Sequence, residues 1–150
     1  MNAQQEIKLS SNWTMPGLYL STLATLIFIP VAVSKIIKEG STGAIVLGGL
    51  FFLLLIGLHI YLFKFLCVAR VKNNKLVMKK LFKDAKEYTF DQIGTPKSLR
   101  IKNTVYTSVA MNNNKGGLEK FLIVNSKSLL SLNKIDAKAT LMRLKEERMV

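Results

Sequence analysis

The sequence predicts a membrane protein in two parts, an α-helical transmembrane hairpin followed by a small β-rich domain of the α+β class. Three observations lead to this prediction. Two long uncharged runs lie in the first half of the chain, and the rest alternates between apolar and polar residues in short stretches. The mean hydropathy is positive at +0.26 although the formal net charge is +13. Apolar and charged residues therefore occupy different segments of a 150-residue chain, which has room for an anchor and one domain.

The first uncharged run covers residues 17–34 and is followed by Lys35 and Lys38. About 20 helical residues cross a hydrocarbon core of roughly 30 Å, so we expect a membrane helix over about residues 16–37. Pro30 removes one backbone hydrogen bond and is expected to kink this helix or end its regular part. Trp13 lies at the end of the helix where an interfacial aromatic residue is common.

A cleaved signal peptide is the alternative interpretation of the first run. Residues 32–34, Ala-Val-Ser, imitate a small-residue cleavage site. The preceding segment favours a retained helix, because Glu6 offsets the charge of Lys8 and Pro30 interrupts the run.

The second run, residues 41–63, predicts a membrane helix over about residues 42–66. Its only histidine, His59, is expected to be a neutral residue at the interface or in contact with a helix, although an ionisable residue in a membrane helix is always a functional candidate. Small residues are expected to permit close helix packing, either within the hairpin or with another membrane protein. These residues are Ala44, Gly48, Gly49 and Gly57.

The positive-inside rule orients the hairpin. Basic residues cluster soon after the second run, whereas the loop between the two runs is short and nearly neutral. Residues 67–150 are therefore expected to form a cytoplasmic domain, and two spans place residues 1–15 on the same side. The basic residues are predicted to form a membrane-surface patch that attracts anionic lipid headgroups: Lys64, Arg70, Lys72, Lys75, Lys79, Lys80, Lys83 and Lys86.

Short alternating stretches predict six or seven antiparallel strands in the second half of the chain. Asn73-Asn74 is expected to form a hairpin turn between strands over residues 67–72 and 75–82, because asparagine tolerates the left-handed conformation. Further strands are expected over residues 87–90, with Tyr88 and Phe90 on one face, and over residues 99–111, with a division near Asn103-Thr104. One face of that stretch is expected to be buried: Leu99, Ile101, Val105, Val109 and Met111.

The end of the chain predicts two more strands and one helix. The strands are expected over residues 118–124 and 128–132. Asn133, followed by Asp136, predicts the start of an amphipathic helix over residues 135–148, because Ala137, Leu141 and Leu144 recur at helical spacing.

The order of these segments resembles the bacterial pleckstrin-homology-like domains found behind two membrane helices in many small bacterial membrane proteins. The resemblance covers the whole chain, and its most specific parts are Phe90, Asp91 and Ile93 at one turn and the strand and capped helix of residues 129–144. It implies a bent or barrel-like antiparallel sheet closed by the C-terminal helix. It also implies a bacterial cytoplasmic (inner) membrane, and a binding or scaffolding role without a shared catalytic site.

Catalytic patterns are weak in this sequence, and no cofactor is expected. Zinc needs about four ligands, whereas the chain has one cysteine, Cys67, and one histidine. Cys67 and His59 lie eight residues apart in or beside the same helix, away from any expected cleft. A lone cysteine also fits a reducing compartment. We therefore expect a protein that is not an enzyme.

The leading functional hypothesis is a membrane-anchored interaction module whose domain binds a protein partner or anionic lipid headgroups. The alternative is an accessory subunit of a larger transport or secretion complex, bound mainly through its transmembrane helices. Nucleic-acid binding ranks third, because Tyr106 is the one aromatic residue expected on the outer strand faces and membrane tethering restricts access. The sequence contains no residue pattern that could test a role in immunity or in sensing envelope damage.

Overall fold

The computed structural model describes residues 6–113, 116–126 and 135–147 of the chain. The elements in chain order are β1 (Ile7–Lys8), α1 (Thr14–Glu39), α2 (Thr42–Phe65), β2 (Leu66–Lys72), β3 (Lys75–Lys80), β4 (Lys86–Tyr88), β5 (Lys97–Ile101), β6 (Thr104–Asn112), β7 (Leu118–Ser126) and α3 (Ala137–Glu146). They form two compact units. Residues Met15–Lys64 are the helical unit, and the described residues of Met1–Thr14 and Phe65–Val150 are the sheet unit.

The helical unit contains two helices that are long and apolar enough to cross a membrane. The candidate spans have 25 and 24 residues with mean hydropathies of 2.0 and 2.5. Their large side chains are mostly exposed, which suits a lipid solvent rather than water. Pro30 lies inside α1, and because the helix continues to Glu39, the proline does not end it.

The sheet unit is an open, mixed sheet of seven strands with the order β4-β3-β2-β7-β6-β5, and with β1 beside β2. The predicted strand number is confirmed, whereas the prediction of a wholly antiparallel sheet is wrong at one pairing. Leu66 and Cys67 of β2 pair in parallel with Leu122 and Ile123 of β7. This pairing joins the β2–β3 hairpin to the β6–β7 hairpin side by side. The contact is made by the first strand of one hairpin, β2, and the last strand of the other, β7.

Strand β1 was not anticipated from the sequence. Ile7 pairs with Val71, the Leu9 amide donates to the Ala69 carbonyl at 2.9 Å, and the Ser11 amide donates to the Val124 carbonyl at 3.0 Å. The segment therefore crosses from β2 to β7, and Leu9 is fully buried. The chain leaves the sheet unit after Thr14 and returns to it at Phe65.

Alternating side chains from the strands and one face of α3 form the core of the sheet unit. Cys67, Leu76, Met111 and Ile123 are among its most buried members, and Leu141 of α3 is fully buried with them. Val109 and Met111 confirm the predicted buried face of β6.

Leu99 and Ile101 contradict that prediction, since they are 63% and 53% exposed. Lys102 and Asn103 form a two-residue turn that pairs Leu99 with Tyr106 and Ile101 with Thr104. Because residues directly opposite each other share a face, the turn transfers both side chains to the outer face of the sheet.

Two boundaries differ from the predicted ones. The strand expected over residues 87–90 is β4, which ends at Tyr88, and Phe90 begins a short 3-10 turn that continues to Gln92. Helix α3 is capped by Asp136, whose carboxylate accepts a hydrogen bond from the Ala139 amide at 3.1 Å. Asn133 and the strand expected over residues 128–132 lie outside the described residues.

Candidate functional site

The basic residues predicted to form a membrane-surface patch occupy four different places. Strand alternation decides most of these positions, because successive side chains point to opposite faces. Arg70, Lys72, Lys75 and Lys79 share the outer face of β2 and β3, Lys80 and Lys86 contact Glu119, Lys64 lies in the last turn of α2, and Lys83 lies in the turn after β3.

The four lysine and arginine residues on β2 and β3 are here called the outer basic face. Arg70 pairs with Glu6 at 2.9 Å and Lys75 pairs with Glu87 at 2.8 Å. These pairs are exposed, and such pairs contribute at most about 1 kcal/mol. Among the ion pairs between described residues, none involves Lys72 or Lys79. The outer basic face therefore keeps a net positive charge that favours an anionic partner.

Lys80 has a different environment from its neighbours, because alternation along β3 turns it toward the interior. Its side chain is only 7% exposed, and its ammonium group lies 2.9 Å from Glu119 Oε1 and 4.4 Å from the centre of the Phe121 ring. The other oxygen, Glu119 Oε2, accepts hydrogen bonds from Lys86 Nζ at 2.7 Å and from the Tyr88 hydroxyl at 3.0 Å. Glu119 thus connects β3 and β4 with β7.

The pKa values of this cluster follow from its contacts. Burial alone would raise the pKa of Glu119, but hydrogen bonds from Lys86, Lys80 and Tyr88 and the charge of Lys80 outweigh it and lower the pKa to about 2. Burial and the hydrogen bond to Glu119 raise the pKa of Tyr88. Glu119 is therefore an anion at neutral pH, and it holds Lys80 and Lys86 in ion pairs while its single charge offsets one of their two positive charges.

Cys67 and the acidic residues offer little reactive chemistry in the sheet unit. Burial raises the pKa of the Cys67 thiol to about 12, so the thiol is protonated at neutral pH and is a poor nucleophile. Over the described residues, histidine, cysteine, aspartate and glutamate form no group of three or more that could hold a metal ion.

Within the helical unit, one of the predicted packing residues lies at a close helix contact. A Cβ atom added to Gly48 would lie 2.8 Å from Cδ1 of Ile36 on α1, whereas Cβ atoms added to Gly49 or Gly57 would meet nothing among the described residues within 4 Å. His59 Nε2 lies 3.5 Å from Thr25 Oγ1, and its Nδ1 lies 2.9 Å from the Leu55 carbonyl oxygen. His59 is therefore a residue in contact with both helices.

Sequence reasoning missed a set of exposed apolar residues on the sheet unit. Phe82 is 84% exposed and Leu118 is 74% exposed, and both were counted within predicted strands. Phe82 has a positive φ of 57°, close to the 52° and 56° of the turn residues Asn73 and Asn74, which places it in a turn. The sequence feature that could have indicated an exposed Phe82 is the group of four lysines near it, at positions 79, 80, 83 and 86.

Comparisons with known protein families, with curated proteins and with solved structures find no match to this chain.

Proposed function

We propose that this protein is a non-enzymatic interaction module anchored in a bacterial cytoplasmic (inner) membrane as a multi-pass protein. In this proposal α1 and α2 span the bilayer, both termini are cytoplasmic, and the sheet unit is a pleckstrin-homology-like domain. The domain binds a protein partner or anionic lipid headgroups through its outer basic face.

The pairing of β1 with β2 is the observation that carries the proposal. Residues on either side of the helical hairpin belong to one sheet, since Lys8 pairs with Arg70. A chain that crosses a bilayer twice returns to the side from which it started, so a spanning hairpin is compatible with this pairing and a single crossing is not. Basic residues beside the hairpin then favour the cytoplasmic side.

The pleckstrin-homology-like part of the proposal is supported by element order. Three strands, β2 to β4, are followed by three more, β5 to β7, and a C-terminal helix buries Ala137, Leu141 and Leu144 in the core. This order agrees with the resemblance in general shape.

The proposal is tested by purifying the tagged full-length protein from its native membrane in mild detergent and identifying the proteins and lipids that copurify. We expect a stoichiometric protein or an enriched anionic lipid with the wild-type chain, and at least a several-fold loss with the double variant Lys72→Glu, Lys79→Glu. The matched control is Lys97→Glu, Arg100→Glu, which makes the same charge change on exposed residues of β5. Equal recovery with both double variants would contradict a role for the outer basic face.

An accessory subunit bound through its helices is the second candidate function. Gly49 and Gly57 on α2 leave space among the described residues for another helix to approach closely. In the same purification, Gly49→Leu and Gly57→Leu would then release a copurifying membrane complex, whereas the outer basic face variants would retain it. The opposite pattern would reject this candidate.

A further inference from the structure

The turn after β3 presents an apolar side chain in an unusual backbone conformation. The Lys83 amide donates a hydrogen bond to the Lys80 carbonyl at 3.4 Å, which closes the turn. Phe82 has a φ of 57°. Glycine or asparagine normally occupies such a position, and a bulky residue there is an outlier. Leu81, which directly precedes Phe82, is only 7% exposed. The buried Leu81 side chain therefore fixes the turn, and the Phe82 side chain points outward.

The two ends of the β2–β3 hairpin differ in character. At one end Asn73 and Asn74 have positive φ values that suit asparagine. At the other end Phe82 is 84% exposed, the highest value among the exposed large apolar residues of the described chain. Burial in this sheet therefore does not explain why a phenylalanine occupies position 82. The positive φ at this position disfavours a phenylalanine as well.

Pairing and chain continuity place this turn next to the end of α2. Lys80 pairs with Cys67, two residues after Phe65, the last residue of α2. The Lys80 ammonium also lies 6.0 Å from the centre of the Phe65 ring. No linker separates α2 from β2, since Leu66 follows Phe65 directly. The turn therefore lies at the end of the sheet where the chain emerges from the second candidate span.

A second exposed apolar residue lies at the same end. Leu118 is 74% exposed and directly precedes Glu119, and Glu119 pairs with Lys80 at 2.9 Å. The surroundings are basic, because residues 79–86 contain four lysines and one acid, Asp84. Apolar side chains among lysines match the boundary between acyl chains and anionic headgroups.

We propose that Phe82 and Leu118 insert into the interfacial region of an anionic lipid leaflet and that Lys79 and Lys83, the exposed lysines near Phe82 that form no ion pair among the described residues, bind its headgroups. The sheet unit is thereby held against the bilayer at a second place besides its covalent connection to α1 and α2. This inference rests on the proposed function, since α2 must span the membrane for Phe65 to reach the bilayer surface.

The test uses the full-length chain in lipid nanodiscs with one fluorescent indole. In a Trp13→Phe background, Phe82→Trp keeps an aromatic residue in the turn, and Asn103→Trp is the matched control. Asn103 is exposed and precedes Thr104, which pairs with Ser126 at the opposite end of β7 from Leu118, roughly 27 Å along the strand. The nanodiscs contain phosphatidylcholine with a minority of phosphatidylglycerol, with or without bromine high on the acyl chains.

We expect brominated lipid to quench the fluorophore at position 82 about twofold and to leave the one at position 103 nearly unchanged, because interfacial aromatic residues lie at headgroup depth. Replacing phosphatidylglycerol by phosphatidylcholine is expected to weaken the quenching. Equal quenching in both lipid mixtures would overturn the anionic part of the inference.

The remaining outcomes separate this inference from the proposed function. A chain that enters nanodiscs but shows an unquenched indole at position 82 overturns the inference alone. A blue-shifted emission without bromine quenching indicates burial against protein and overturns it as well. A chain that does not enter nanodiscs overturns the proposed function, on which the inference depends.

Discussion

In the helical unit most large apolar side chains are exposed, and in the sheet unit most are enclosed. Leu53 of α2 is 69% exposed, whereas Leu141 of α3 is fully buried. The two leucines have the same chemistry and different solvents. Moving a leucine side chain out of water lowers its free energy. Protein atoms replace the water in the sheet unit, and lipid replaces it in the helical unit under the proposed function. Exposure of apolar residues is therefore evidence about the solvent of a segment as much as about its folding.

The largest expected effect comes from truncating a buried leucine of the sheet unit, and the comparison is the same truncation of an exposed leucine of the helical unit. Leu141→Ala should lower the free energy of unfolding of the sheet unit by about 3 kcal/mol, because it removes buried methyl groups and leaves a cavity. Leu53→Ala should change it by less than about 0.5 kcal/mol. Urea titration of the chain in mild detergent, followed by circular dichroism, measures both. Similar losses from the two variants would contradict the division into two differently solvated units.

A smaller effect is expected from Glu119, the anion through which β3 and β4 contact β7 among the described residues. Glu119→Gln should cost about 2 kcal/mol at neutral pH, because Lys80 is left nearly buried beside a neutral group. The pH dependence has a definite sign. The pKa of Glu119 falls from 4.5 to about 2 on folding, so its contribution is complete above about pH 4.5 and is lost as the pH drops toward 2.

Urea titrations between pH 6 and pH 2 test this sign at about half-unit steps. The wild-type chain should lose stability below about pH 4.5, and Glu119→Gln should remove much of that loss. Glu87→Gln is the matched control, because Glu87 also accepts from a lysine at 2.8 Å but is exposed. If Glu119→Gln keeps the full acid-induced loss, the Glu119 cluster is not its source.

The smallest predicted effect is at the start of α3. Asp136→Ala should lower the free energy of unfolding by about 1 kcal/mol, because it removes the acceptor of the Ala139 amide. Asp136→Asn keeps an acceptor and should cost much less. Amide hydrogen exchange over residues 137–140 distinguishes local fraying from a change in the whole sheet. Equal exchange in both variants would show that the side chain does not cap the helix.

Much of the architecture followed from periodicity, and the exceptions have physical causes. The two apolar runs, the Asn73-Asn74 turn, β6, β7 and the amphipathic α3 all carry strong local patterns. Strand β1 carries no such pattern, because two residues are too few to show a periodicity. Their pairing partners also lie more than sixty residues away. The parallel contact between Leu66 and Leu122 is likewise non-local, so alternation within each strand could not indicate it.

The candidate site was less accessible to sequence reasoning than the fold. Counting lysines identified the basic segment, but Lys79 and Lys80 are adjacent in sequence and face opposite sides of β3. The ion pairs of Lys80 and Lys86 require Glu119, which is more than thirty residues away. Phe82 was assigned to a strand because its positive φ is contrary to the preference of its residue type.

The position of β1 also has a consequence for the order of events during synthesis. Ile7 leaves the ribosome first, but its partner Val71 is made sixty-four residues later, a delay of about 3–13 s at ordinary translation rates. Both apolar helices are synthesised within that interval. The first strand of the sheet must therefore wait, unpaired, until both apolar helices have been made.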